Sequence, residues 1–248
     1  MNLNNTAAKA DPKKEDIEFI LKLLKLTKYK DLENEITKQF IKYPKSSVLF
    51  NILGASCNGQ NKLEEAIKNY RESIKINPNY AKAYNNLGAA LHKLNKINEA
   101  IKNYERAVEL DSTLVQAFNN LGHAYHDTGD NEKSLHNFKK VIEINPKDAQ
   151  AHNSIGLVLH NLKMFDEALL KYKKAIEIKN DYEKAYNNLG NLLSNLGKYD
   201  EATEFYKKAI IIKPDYALAY SNLLFNLNYN INFDNQNYLT EAKKFPIN

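Results

Sequence analysis

Cysteine, arginine and tryptophan are almost missing from this chain of 248 residues, and each shortage argues against a class of site. Cys57 is the only cysteine, and there is no tryptophan. A single thiol forms neither an intramolecular disulfide nor a cysteine-based metal cluster. Only Arg71 and Arg106 carry the guanidinium group that bidentate recognition of phosphates or guanine edges prefers. The formal net charge of +5 is spread among nearly as many acids, so we expect no nucleic-acid partner.

Long apolar runs are also missing. No stretch of about 18 consecutive apolar residues occurs, and residues 1–14 hold no apolar segment of signal-peptide length. With its single cysteine, the chain is therefore expected to be a cytoplasmic protein with no membrane partner. The hydrophobic content of 43% is nevertheless enough for a sizeable core. No feature of the sequence fixes the oligomeric state.

What the sequence does contain is a repeat with a period of 34 residues. Three positions of this repeat keep their chemical character: a glycine, an aromatic residue and a small residue. The glycines are Gly54, Gly88, Gly122, Gly156 and Gly190, the aromatic residues are Tyr70, Tyr104, Phe138, Tyr172 and Tyr206, and the small residues are Ala66, Ala100, Ser134, Ala168 and Ala202. Prolines recur in the same register at Pro44, Pro78, Pro146 and Pro214.

One unit, residues 81–114, shows how the period predicts structure. Apolar residues with helical spacing run from Ala83 to Leu91, and a second such stripe runs from Ile97 to Val108. The break between them predicts two antiparallel helices, with small polar or acidic residues near position 98 at the start of the second. Gly88 is expected where the two backbones approach closely, with Tyr104 filling the space beside it. Proline then ends the second helix.

These positions resemble the tetratricopeptide repeat, a helix-turn-helix unit of 34 residues. The resemblance implies an all-α fold, a right-handed superhelix (α-solenoid) of antiparallel helix pairs. In this frame, 1–12 is a flexible N-terminus, 13–46 a degenerate N-terminal cap, and 217–248 a degenerate repeat or a pair of C-terminal capping helices. The repeats between them are 47–80, 81–114, 115–148, 149–182 and 183–216.

Candidate catalytic and metal-binding residues have structural explanations in this frame. His92, His126 and His160 recur at one position of successive repeats, about 10 Å apart by helix-packing distances, which is too far for one zinc ion. They are instead expected to line a groove. Cys57 stands where neighbouring repeats place core residues. No HExxH, GxSxG, glycine-rich phosphate loop or EF-hand spacing occurs, so we expect no enzyme activity, no cofactor and no metal.

Asparagines mark the side that the resemblance assigns to the concave groove. They occupy the two positions just before the Leu-Gly step or its equivalent, either as an Asn-Asn pair or with serine in one of the two positions. We predict that they bind a protein or extended peptide through its backbone. We expect them to contribute little to packing between repeats. The predicted site consists of Asn85, Asn86, Asn119, Asn120, Asn153, Asn187, Asn188 and Asn222, with His92, His126 and His160.

A closer resemblance is to the repeat region of O-linked N-acetylglucosamine transferases and their bacterial relatives. The asparagine before Leu-Gly matches that family's asparagine ladder, and residues 221–229 resemble its junction with the catalytic region. Ala242 stands where the family usually has histidine, and the nucleotide-sugar-binding domains are absent from the sequence. Two functions are therefore open: a free-standing binding scaffold, or the substrate-recognition module of such an enzyme. A helical-repeat RNA binder is a third hypothesis, which the low arginine content disfavours.

Overall fold

A computed structural model describes residues 11–229, which form thirteen α-helices and no strand. The predicted all-α class is confirmed. The helices are α1 (Lys14–Lys25), α2 (Tyr29–Lys42), α3 (Ser47–Gly59), α4 (Leu63–Ile76), α5 (Ala81–Lys93), α6 (Ile97–Leu110), α7 (Val115–Asp127), α8 (Asn131–Ile144), α9 (Ala149–Asn161), α10 (Phe165–Ile178), α11 (Glu183–Asn195), α12 (Tyr199–Ile212) and α13 (Ala217–Tyr229). None of these helices has both the length and the apolar character needed to cross a bilayer.

The chain divides into two compact units, one up to Gly129 and the other from Asp130 onward. The division falls inside the predicted repeat 115–148, between α7 and α8. In the first unit, α1–α3 enclose one apolar cluster that contains Ile20, Leu32 and Ile36, and α3–α7 enclose another around Tyr70 and Tyr104. In the second unit, one cluster around Tyr172 and Tyr206 extends from α8 to α13.

Helix boundaries follow the sequence frame closely. The break predicted after Leu91 lies between α5 and α6, and α4, α8 and α12 each end two residues before a proline. Proline there suits the exit from a helix because it cannot continue the hydrogen-bonding pattern. The expected polar start of α6 is confirmed, with Asn98 and Glu99 in its first turn, although Lys96 precedes the helix without a side-chain cap. Such caps are made by Ser46, Asp130 and Asp148 at α3, α8 and α9.

The predicted contact between glycine and tyrosine is confirmed within the helix pairs. A Cβ added to Gly88 would lie 2.6 Å from Cε1 of Tyr104, and one added to Gly190 would lie 2.7 Å from Cε1 of Tyr206. Gly54 and Gly156 face Tyr70 and Tyr172 in the same way. In these four pairs, the backbone of the first helix therefore rests directly on the tyrosine ring of its partner helix.

The turns inside the helix pairs carry a second periodic feature that the sequence analysis did not find in full. A residue with positive φ recurs every 34 positions, and only two of the six are glycine: Thr27, Asn61, Asn95, Gly129, Lys163 and Gly197. At Asn95, for example, the next amide, that of Lys96, bonds back to Leu91 O at 2.9 Å and closes the end of α5. The backbone path, and not the residue type, is what repeats here.

Thr27→Gly should therefore stabilise the first helix pair. A β-branched residue is strained at the φ of 54° that Thr27 adopts, and relief of that strain should exceed the added entropy of glycine in the unfolded chain, for a net gain of about 1 kcal/mol. Urea unfolding followed by circular dichroism measures it. Asn95→Gly is the matched control and should gain less, because asparagine tolerates this conformation. Equal gains at both sites would contradict the explanation.

The predictions for the two chain ends concern residues that the structure describes only in part. The cap predicted at 13–46 contains the helix pair α1 and α2, and α13 lies in the segment 217–248. The amphipathic turns expected through Tyr238, Leu239, Ala242 and Phe245 lie outside the described residues, as do residues 1–10 of the predicted flexible N-terminus.

Candidate functional site

The paired asparagines form hydrogen-bonded links between successive first helices, which we call the amide row. In each link, one asparagine donates its Nδ2 hydrogen to the Oδ1 of an asparagine 35 residues earlier, at 2.9–3.0 Å. The links of the first unit are Asn86 to Asn51 and Asn120 to Asn85. Those of the second unit are Asn188 to Asn153 and Asn222 to Asn187.

The two members of a link differ in burial. The acceptors Asn51, Asn85, Asn153 and Asn187 are buried, with exposed fractions of 1–7%. The donors Asn86, Asn120, Asn188 and Asn222 are half-buried. The expectation that these amides contribute little to packing is therefore wrong, because a hydrogen bond of this kind contributes about 0.5–1.5 kcal/mol and its buried oxygen is costly to leave unpaired.

The predicted site accordingly separates into two sets. Asn85, Asn153 and Asn187 are packing residues, because their side chains are almost inaccessible. Asn119 lies on α7 and is half-buried, and its Oδ1 has no hydrogen-bond partner among the described residues. The half-exposed donors are what remains for a ligand to contact.

A second polar row lies seven residues after the amide row on the same helices. Residues seven apart share a helix face and are separated by about 10 Å along the axis. In the first unit, Lys93 Nζ donates to Asn58 Oδ1 at 2.9 Å, and His92 Nε2 lies 2.9 Å from Asp127 Oδ2. In the second, Asn195 Nδ2 lies 2.8 Å from His160 Nε2.

The three repeated histidines thus belong to this second row. His92 and His126 flank Asp127, with His126 Nδ1 lying 3.5 Å from Asp127 Oδ1. Burial, reinforced by the positive charge of Lys163, lowers the pKa of His160, and this favours a neutral ring that accepts from Asn195. Within residues 11–229, no group of three histidine, cysteine, aspartate or glutamate side chains is arranged to hold a metal ion.

Cys57 lies in the core, as its repeat position predicts. The residue is 5% exposed and packs in the cluster around Tyr70. Burial raises the pKa of its thiol, and the nearby Glu65 carboxylate raises it further. The thiolate that nucleophilic chemistry needs is therefore disfavoured here.

Sequence reasoning missed several members of these rows. The predicted site omits Asn51, which accepts a bond from Asn86. The predicted site also omits Asp127, Asn195 and the Asn58–Lys93 pair. A search for polar residues 35 positions apart, one more than the repeat period, would have identified these contacts. Each contact joins a residue to the position directly after its equivalent in the next repeat.

Models of the tetratricopeptide repeat match most of this chain. The family model described as "TPR repeat" matches residues 54–95, 90–129, 122–163 and 164–197, and the one described as "Tetratricopeptide repeat" matches 183–216. Together the matches run from residue 54 to residue 216, more than half of the sequence. No curated protein matches the sequence.

Solved structures give the same result. A structure of MamA is 27% identical, with a TM-score of 0.60, and covers 66% of this chain and 96% of its own. YrrB, described as a TPR protein with an unusual peptide-binding site, is 24% identical with a TM-score of 0.60, covering 74% and 95%. PilF of Pseudomonas aeruginosa is 16% identical with a TM-score of 0.73, covering 84% and 94%. From its repeat period, its paired helices and these matches, the chain belongs to the tetratricopeptide-repeat family.

Proposed function

We propose that this protein is a non-catalytic scaffold that binds an extended segment of another protein along its amide row. The observation that carries the proposal is the half-exposed asparagine that recurs on successive first helices within each unit. YrrB supports it only to the extent that the same fold can hold a peptide-binding site.

The chemistry of the row suits a peptide backbone. A side-chain amide has two N–H donors and one acceptor oxygen. Asn120, Asn188 and Asn222 each use one donor for the bond to a buried amide, which fixes the orientation of the side chain. The second N–H and the oxygen are then positioned for the C=O and N–H groups of an extended chain. Since every residue has these groups, such binding makes few demands on the partner's side chains.

Two variants test this proposal because they break the same hydrogen bond. Asn120→Ala removes the half-exposed donor, and Asn85→Ala removes its buried acceptor. Both should lower stability by about 1–2 kcal/mol. Only Asn120→Ala removes the amide available to a ligand, so it should weaken binding about tenfold, the equivalent of about 1.4 kcal/mol.

Short random peptides displayed on phage provide the binding measurement, at a temperature well below unfolding. Wild type should enrich related peptides, Asn85→Ala should bind those peptides somewhat less tightly because Asn120 loses its orienting bond, and Asn120→Ala should bind them most weakly. Equal binding by the two variants would show that the amide acts through stability alone. Failure of wild type to enrich any peptide would reject the proposed function.

A second candidate is the substrate-recognition module of a glycosyltransferase of the O-linked N-acetylglucosamine type. Residues 221–229, which carry that resemblance, lie in α13, where Phe225 and Tyr229 are 63% and 53% exposed. Their rings pack together at 4.7 Å between centroids and offer an apolar surface for a further domain. Continuation of the reading frame beyond Asn248 into a nucleotide-binding α/β domain would favour this candidate, and a stop codon there would favour the free-standing scaffold.

A further inference from the structure

Among the first helices that carry the amide row in the first unit, α3, α5 and α7, Asp127 is an isolated negative charge. The helices α3, α5 and α7 contain no other aspartate or glutamate. Its side chain is 45% exposed, so the carboxylate is accessible to a ligand. The acids of α4 and α6 are the second-helix residues Glu64, Glu65, Glu72, Glu99, Glu105 and Glu109.

Both oxygens of this carboxylate are positioned by imidazoles. His92 Nε2 lies 2.9 Å from Oδ2, and His126 Nδ1 lies 3.5 Å from Oδ1. A carboxylate can only accept, so the nitrogen of His92 must donate. One ring N–H is enough for this bond, so the contact does not require the positively charged form of the ring.

The cationic side chain next to His92 is bonded to a residue other than Asp127. Lys93, next to His92, directs its ammonium group to Asn58 Oδ1 on α3 at 2.9 Å. On the α6 side, His92 faces the edge of the Tyr104 ring, with centroids 6.5 Å apart. Burial raises the pKa of this phenol, so the ring is uncharged.

The location of Asp127 relates it to the amide row. It follows Asn120 by seven residues on α7, which places both side chains on one face of the helix, about 10 Å apart along the axis. An extended chain advances about 3.3 Å per residue. A segment that contacts Asn120 could therefore present a side chain to Asp127 from about three residues away.

The second unit provides an uncharged counterpart. Asn195 occupies the place of Asp127, and it contacts His160 Nε2 at 2.8 Å where Asp127 contacts His92. In both units, an imidazole at the end of one first helix contacts a polar side chain at the end of the next first helix. That side chain is a carboxylate in the first unit and an amide in the second.

We propose that Asp127, held by His92 and His126, is a subsite for a cationic side chain, so that segments bound by the first unit carry lysine or arginine at one defined position. This inference rests on the proposed peptide-binding function. The amide row would supply affinity for the backbone, and Asp127 would select register and charge. The second unit, with Asn195 in this place, would not select charge.

The test exchanges the carboxylate and the amide between the two units of the protein. Asp127→Asn reproduces the imidazole–amide pair already present at His160 and Asn195, so the fold should be retained, with an unchanged melting curve as the check. Asn195→Asp creates the carboxylate in the second unit. Phage-displayed random peptides are selected on wild type and on both variants, and the best peptide is then synthesised with its basic residue and with methionine in its place.

Wild type should enrich lysine or arginine at one position and bind the basic peptide about fivefold more tightly than the methionine peptide, the scale expected of a partly exposed ion pair. Asp127→Asn should abolish this preference, and Asn195→Asp should add a second one. Added salt should weaken the preference of wild type for the basic peptide, because the ion pair is solvent-accessible.

The failures of the two proposals are distinguishable. If peptides are recovered and depend on Asn120, but show no basic preference or keep it in Asp127→Asn, the subsite is rejected and the peptide-binding function stands. If wild type selects no peptides at all, both proposals are rejected.

Discussion

Replacing Gly88 with leucine is expected to lower the free energy of unfolding by about 3 kcal/mol, the upper part of the range for overpacked cores. A Cβ alone would lie 2.6 Å from Cε1 and 2.7 Å from Cδ1 of Tyr104, and leucine adds three further carbons. The ring cannot move aside easily, because Tyr104 is 1% exposed and packed on all sides. Urea unfolding followed by circular dichroism measures the loss.

A double-mutant cycle with Tyr104→Ala shows whether the ring is the cause. Tyr104→Ala alone should cost about 3–5 kcal/mol through the cavity it leaves. In that background, leucine at position 88 fills part of the cavity, so its cost should vanish or change sign. Position 224, the equivalent place on α13, already holds a leucine, which is half-buried. Additive losses in the cycle would mean that glycine is required for another reason.

The second large effect is expected at Asn226, a fully buried amide between α12 and α13. Its Nδ2 donates to Tyr199 O at 2.8 Å and to Thr203 Oγ1 at 2.9 Å. Asn226→Ala should lower stability by about 2 kcal/mol, because it removes both bonds and leaves a cavity. The helical hydrogen bond to Tyr199 O is retained, so the loss should not be larger. Urea unfolding is again the measurement.

Replacing the polar pair together should have the opposite sign. The preceding repeat has Leu192 and Leu169 at the places of Asn226 and Thr203. Asn226 Oδ1 is buried with no hydrogen-bond partner among residues 11–229, and this uncompensated oxygen disappears in Asn226→Leu with Thr203→Val. The double variant should match or exceed wild type in stability, since removal of both partners is less costly than removal of one. A loss as large as that of Asn226→Ala would show that the amide itself is essential.

Much of the fold could be predicted because the repeat is written in local residue choices. The stripes at Ala83–Leu91 and Ile97–Val108 place α5 and α6, and Gly88 with Tyr104 gives their crossing. The turns were harder to predict, since Thr27, Asn95 and Lys163 adopt the positive φ that glycine has at Gly129 and Gly197. There the hydrogen bonds that end the helix impose the conformation, and residue type only sets its cost.

The candidate site was less predictable, because the sequence identifies polar side chains without saying which of them reach solvent. Asn85 and Asn86 are adjacent and chemically identical, yet one is 2% exposed and the other half-buried. The difference arises from a rotation of about 100° between neighbouring helix positions. That rotation directs Asn85 toward the next first helix, where it accepts from Asn120, and Asn86 toward the preceding one, where it stays half-buried.

The sequence alone therefore determined the tetratricopeptide period, the helix pairs and the glycine–tyrosine contacts, because these depend on residues close in the chain and on side-chain size. Only the tertiary structure decided that Asn120 bonds to Asn85 and that His92 meets Asp127. Both contacts join residues 35 positions apart, one beyond the repeat. They depend on how each first helix is displaced and rotated against the next, which is set by packing between repeats and not by any local pattern.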